Sequence, residues 1–308
     1  MENVKEIFKD FVIIDCAVHS KDHFYFIASH TYYLDEQDQK SSKTIDERRE
    51  AVRIAAFFPN KPDGEKWSFR TIRHIEFMKC AASEFPASQL IAVSIDGQVF
   101  VVGSGVADFE EHIPEHRYGP LRGLVNDVVC IDGIVYAVQG NRGLCNRMRP
   151  NMWASLCTEL PVSTSRQRRK IEGFRCVTGT SASNIYAGGG RGDLWHFDGK
   201  TWDQLNFPSN VMIETICCAG ERDIYVGCQS GIVYRGHGNA WKKITDGSLG
   251  LSCKSMVAYQ GWIWCSSNYG IWIIRGNSIE KADVPSNIYM KAGILATKGD
   301  ILMVAGLN

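Results

Sequence analysis

The densest concentration of chemically capable side chains is basic. Arg142, Arg147, Arg149, Arg166, Arg168, Arg169 and Lys170 all fall within residues 142–172. A guanidinium offers a planar fork that meets a carboxylate in two places, which suits arginine to pairing across an interface. A second concentration is acidic: Asp108, Glu110, Glu111 and Glu115 are interleaved with His112 and His116. These patches create opposite local fields in a chain with 34 basic and 34 acidic residues. Such fields favour docking to another protein surface. With no net charge, a global attraction to nucleic acid or to an anionic membrane is not indicated. The plain alternative for any one charge run is a solvated loop.

Catalytic and metal-binding patterns do not emerge. His112 and His116 have i, i+4 spacing, but Pro114 breaks the helix that would bring both rings to one face. Gly188-Gly189-Gly190 with Gly192 lacks the spacing of a dinucleotide fingerprint or a P-loop, so hairpin glycines are expected there. No G-x-S-x-G elbow occurs. The eleven cysteines contain no C-x-x-C pair and sit mostly in apolar runs such as VNDVVCIDG, FRCVTG, TICCAG and WIWCSS. There they act as small buried hydrophobes rather than as a disulfide framework or a zinc site. The expectation is no catalytic residue, no metal and no cofactor. Trp262, Trp264 and Trp272 admit a stacking platform for a sugar or base, with core packing as the default.

Residues 173–247 carry the pattern that must position these groups. FRCVTGTSASNIYAGGGRGDLWHFDGKTWDQLNF is followed by TICCAGERDIYVGCQSGIVYRGHGNAWKKI. Tyr186 falls on Tyr225, Gly192 on Gly231 and Trp202 on Trp241, each pair 39 residues apart. Trp264 and Gly270 continue the series and Met303 marks a weaker register. A period near ~40 made of short β runs and Gly-rich turns predicts a propeller of four-stranded blades. Asp63-Gly64-Glu65-Lys66-Trp67 matches Asp198-Gly199-Lys200-Thr201-Trp202 as an outer hairpin turn, its tryptophan opening the outer strand.

Tyr25, Phe100, Tyr136, Tyr186, Tyr225, Trp264 and Met303 serve as one mark per unit. They give an all-β fold of seven blades, six being the alternative, over residues 1–308 as a single domain. Charged insertions are expected at about 31–52, with a short helix at 45–54, and at 142–172. The last unit has only two strands, and the N-terminal VKEIFKDF is expected to pair with it and close the ring. The charged N-terminus and the absence of a long apolar run point to a cytoplasmic protein without a membrane span.

The unit IYAGGGRGDLWHFDGKTWDQL resembles bacterial β-propeller repeats with Asp-x-Ile-Tyr, a Gly-rich turn and a Phe-Asp-Gly-x-x-Trp outer hairpin. The resemblance spans roughly 173–286 and is neither the WD nor the kelch pattern. Propellers similar to this accompany polymorphic toxins as cognate immunity proteins. That resemblance implies a non-catalytic, monomeric protein that binds and neutralises a toxin. Arg142, Arg147, Arg149, Arg166, Arg168, Arg169, Asp108, Glu110 and Glu111 are its expected contacts. The alternatives are a carbohydrate- or small-ligand-binding propeller and a propeller-fold lyase or glycosidase.

Overall fold

Short apolar runs closed by tight turns leave the chain no partner for its backbone groups except the run beside it, so antiparallel sheets form. The computed structural model describes residues 4–30, 51–75, 77–163, 173–245, 250, 252–267, 270–289 and 293–306. The first blade is β1 (Phe11–Ser20), β2 (His23–His30), β3 (Ala51–Phe57) and β4 (Trp67–Arg73). The second is β5 (Met78–Ser83), β6 (Gln89–Ser94), β7 (Val99–Gly103) and β8 (Val106–Glu110). The third is β9 (Val125–Ile131), β10 (Ile134–Gln139), β11 (Gly143–Arg149) and β12 (Met152–Ser155).

Three more four-stranded blades follow in the same order. They are β13 (Phe174–Ser181), β14 (Asn184–Gly189), β15 (Leu194–Phe197) and β16 (Trp202–Gln204), then β17 (Ile213–Gly220), β18 (Asp223–Cys228), β19 (Val233–His237) and β20 (Ala240–Lys243). The sixth is β21 (Ser255–Tyr259), β22 (Trp262–Ser267), β23 (Gly270–Arg275) and β24 (Ser278–Lys281). The seventh is the hairpin β25 (Ile294–Lys298) and β26 (Ile301–Ala305). The first strand of each blade packs on the first strand of the next, and β25 packs back on β1, so the ring closes around a central channel.

The core is a series of slabs between consecutive blades rather than one central mass. Tyr25, Ile27, Val52 and Ile54 of the first blade meet Met78, Cys80, Leu90 and Phe100 of the second. Equivalent slabs join each later pair, and Trp264, Ile271 and Ile273 meet Val304 at the last. The outer turns follow the sequence reading. Gly64 and Gly199 share φ of 94°, a conformation that costs glycine little and other residues much. Trp67 and Trp202 open β4 and β16.

Four expectations need correction. VKEIFKDF does not add a strand to the seventh blade: Val4–Ile7 is a single helical turn, α1, and β25–β26 is a two-stranded sheet among the described residues. The turn instead covers the first blade. Phe8 packs edge-on against Phe26 and Trp67, and Arg53 donates to the Ile7 carbonyl. Phe26 alternates with Tyr25 and Ile27, so it lies on the face turned away from the second blade. Phe100 is not the counterpart of Tyr136: it lies in β7, and the second strand of that blade, QLIAVS, has no aromatic residue. Stretch 142–172 is only partly an insertion, because it contains β11 and β12, and the connection proper is 156–173. Finally, residues 51–54 of the expected helix begin β3, while 31–50 lie outside the described residues.

Candidate functional site

Antiparallel order within a blade sends its odd-numbered connections to one face of the disc and its even-numbered ones to the other. The turns after the first and third strands are mostly two residues long, as at 21–22, 132–133, 221–222 and 260–261. On the opposite face β2 ends and β3 begins, and from it spring the connections 111–124, 156–173, 244–254 and 282–293. Loops that interrupt a regular repeat on one face commonly carry its binding function. This loop-bearing face is also where the first strand of each blade enters the channel.

At that mouth five first strands, and the residue just before a sixth, each place a charged side chain along a cavity of about 1190 Å³. In chain order they are Asp15, Lys79, Asp127, Arg175, Glu214 and Lys254, alternating in sign from blade to blade; the seventh blade contributes Ile294. Asp15 is 7% exposed, and its carboxylate accepts the Cys80 amide at 2.8 Å and lies 3.9 Å from the Lys79 ammonium. Arg175 and Glu214 pair at 2.7 Å. Asp127 accepts the Val128 amide at 3.0 Å and has no ion pair among the described residues.

Burial raises the Asp15 carboxyl above its usual range even though Lys79 and two backbone amides pull it down. It also pushes Asp127 up to about 6, against the pull of Lys79 and with Asp15 adding to the rise. Burial works to lower Lys79, but the Asp15 and Asp127 carboxylates outweigh it and hold the ammonium up. Behind this ring the channel wall carries the thiols of Cys16, Cys80 and Cys176, all driven well up by burial and therefore protonated and unreactive. The far mouth is narrowed by Lys298 and Glu84, 2.6 Å apart.

The charged patches of the sequence meet in an unforeseen way. Glu110, at the end of β8, receives both the Nε and Nη2 protons of Arg147 from β11, with 3.0 Å for the first. Arg147 is 1% exposed on its side chain, so this pair is an internal staple between the second and third blades. Around it the joined edge exposes Asp108, Glu111, Arg149, Val106, Phe109, Met148 and Met152. The Glu111 amide donates to Asn151 at 2.8 Å, fastening the two strands further.

Arg142 is also engaged internally. Its Nε and Nη2 donate to Asp193 at 2.6 and 3.2 Å, and its Nη1 donates to the Pro161 carbonyl. The same carboxylate accepts the Trp195 indole at 2.9 Å. Arg142 and Arg147 thus hold blades together instead of presenting their forks to a partner. Arg166, Arg168 and Arg169 lie outside the described residues.

The aromatic and histidine candidates separate. Trp264 faces the seventh blade, whereas Trp272, paired opposite Cys265, belongs to the slab toward the fifth, so these two form no common platform, and Trp262 is exposed beneath the Arg275 guanidinium. His196 is held by Asn184 at 2.8 Å and stacks on Tyr186. His112 contacts the Ile113 carbonyl, and His116 accepts the Tyr118 amide. Among the described residues no three His, Cys, Asp or Glu side chains converge as a metal site. No described helix is long and apolar enough to cross a membrane.

No known family model matches the sequence. The fold resembles the WD40 β-propeller domain of Doa1, with a TM-score of 0.61, 9% identity and coverage of 97% of this chain and 90% of that one. It also resembles YCF48 from Cyanidioschyzon merolae, with a TM-score of 0.61, 13% identity and coverage of 97% and 94%. At such identities the likeness establishes the β-propeller architecture alone. In sequence, the chain is 29% identical over 210 residues to the immune protein Tsi7 of Pseudomonas aeruginosa, a match spanning 68% of this chain and 67% of that protein.

Proposed function

We propose that this chain is an immunity protein, which binds a cognate toxin and blocks it by occupying its surface. The observation that carries the reading is the likeness to immune protein Tsi7 across two thirds of both chains. The geometry supports binding rather than turnover. The long connections share one face with the charged channel mouth, the thiols of Cys16, Cys80 and Cys176 on its wall are buried, and His112, His116 and His196 are each held by a neighbouring group. The second-to-third blade edge adds exposed Phe109, Met148 and Met152 beside Asp108, Glu111 and Arg149. Apolar anchors ringed by charge are what a protein interface requires. Arg166, Arg168 and Arg169 complete the proposed contact surface from the neighbouring connection. The protein acts as a monomer in the cytoplasm and needs neither nucleic acid nor cofactor.

The test is protection. Genes flanking the one that encodes this chain are expressed singly in an inducible host, then together with this chain. One of them should arrest growth alone, lose that effect on co-expression and co-elute with this chain in a stoichiometric complex. A set of neighbours in which none is toxic, or whose toxicity persists without complex formation, overturns the reading.

A further inference from the structure

The alternating ring at the channel mouth is neutral when counted around the circle but not sector by sector. Arg175 is occupied by Glu214 at 2.7 Å, so the fourth and fifth blades cancel. On the other side, Asp15 and Asp127 flank a single cation, Lys79, and Asp15 holds it at 3.9 Å. Lys254, the remaining cation, sits exposed on the sixth blade. Asp127 therefore lines the cavity as a carboxylate without an ion-paired cation, supported only by backbone amides. A half-buried carboxylate that faces a cavity without a paired cation is one whose missing charge a ligand can supply.

The chemistry of that ligand is constrained. A phosphate or carboxylate would meet two anions. A divalent ion would need more oxygens than are offered, because Asp15 is tied to Lys79 and to the Cys80 amide. A single positive charge on a slender stem satisfies Asp127 and leaves the Asp15–Lys79 pair intact. Mouth and long connections share one face, so a protein seated on those connections would lie directly over the opening.

We propose that the channel mouth is a socket for one lysine or arginine side chain projected by the protein partner, with the Asp127 carboxylate as its counter-ion. The apolar stem of that side chain runs past the first strands, and the charge comes to rest between the third blade and the Asp15–Lys79 pair. The inference rests on the immunity reading for its partner but not for its chemistry, which a small probe reports independently.

The probe is N-acetyl-arginine amide, titrated into the isotopically labelled full chain by amide NMR, with N-acetyl-citrulline amide as its uncharged counterpart. The arginine compound should bind with a Kd on the order of millimolar. It should shift the amides of Lys79, Asp127 and Val128, and bind at least about tenfold more tightly than citrulline, the worth of one charge-assisted pair. Asp127→Asn should abolish that preference, and Asp127→Glu should keep it. Equal affinity for the two compounds, no saturable shift up to about 50 mM, or a preference unchanged in Asp127→Asn would overturn the socket. If the Asn variant fails to fold, the comparison on the unaltered protein still decides. A toxin bound equally well by native protein and Asp127→Asn removes the socket and leaves the immunity reading standing. Arginine capture by a chain that protects against no neighbour supports the socket and sinks the immunity reading alone.

Discussion

Replacing Asp127 with asparagine should make the protein more stable, against the usual direction of a buried substitution. The carboxyl titrates near 6 instead of the ordinary 3.8, chiefly because burial disfavours its charge. For an acid, a raised value means that the folded state holds the proton more tightly than the unfolded chain. Stability therefore falls as pH rises from about 3.8 to about 6, and the penalty is complete above that window. Its ceiling is about 3 kcal/mol, from ~1.4 kcal/mol for each tenfold change in proton affinity. Asp127 still lines an open channel, whose solvent screens the charge, so about 1–2 kcal/mol is the working expectation. That corresponds to a rise in Tm of roughly 2–6 °C. Asparagine keeps an oxygen for the Val128 amide while removing the charge. Thermal unfolding of both proteins at about pH 8, 6 and 4 checks this, the gap being widest at the first and nearly closed at the last. A variant less stable at high pH, or a gap that ignores pH, would refute the claim that Asp127 is an uncompensated charge.

Three further outcomes are expected. Glu110→Ala strands the Arg147 guanidinium, 1% exposed, and should cost about 3–5 kcal/mol in urea unfolding, while Glu110→Leu with Arg147→Met should recover most of the loss. Little loss in the single variant would show the pair to be solvated. Reversing charge at Arg166, Arg168 and Arg169 should weaken the toxin complex, measured by calorimetry across a salt series, and leave Tm within about 1–2 °C; unchanged affinity would move the interface away from that connection. Deleting residues 1–10 uncovers Phe26, Trp67 and Arg53 and should lower Tm by several degrees, whereas unaltered melting would show that α1 contributes nothing to the first blade.

The repeat was legible where a strand or turn has a local reason to exist. Asp198-Gly199 and Asp63-Gly64 need left-handed glycine, and Tyr186, Tyr225 and Trp264 each occupy the third position of a second strand. Blade two was misread because its second strand fills the slab with Leu90, Ile91 and Ala92, leaving Phe100 of β7 as the buried aromatic of that blade. β11 was hidden because Asn146 and Arg147 make it look like a loop, and the charge that neutralises Arg147 is 37 residues away. The mouth ring was invisible for a similar reason. One charged residue in an apolar strand reads as ordinary alternation. Only with the strands side by side do Asp15, Lys79, Arg175, Glu214 and Lys254 fall into one position, each followed by a small Cys, Thr or Ser.

The two-stranded seventh blade gives the closed disc one thin sector. Its hairpin lacks the third and fourth strands that each of the other blades carries among the described residues, so it offers its neighbours a smaller packing face. A smaller buried face lowers the free energy of local opening. Thermal breathing should therefore concentrate at this one radius of the disc, with the other blades moving as a stack of neighbours. Because Asp15 lies on the strand beside this blade and Lys254 just before the first strand of the sixth, each opening would also change the spacing of those two charges across the mouth.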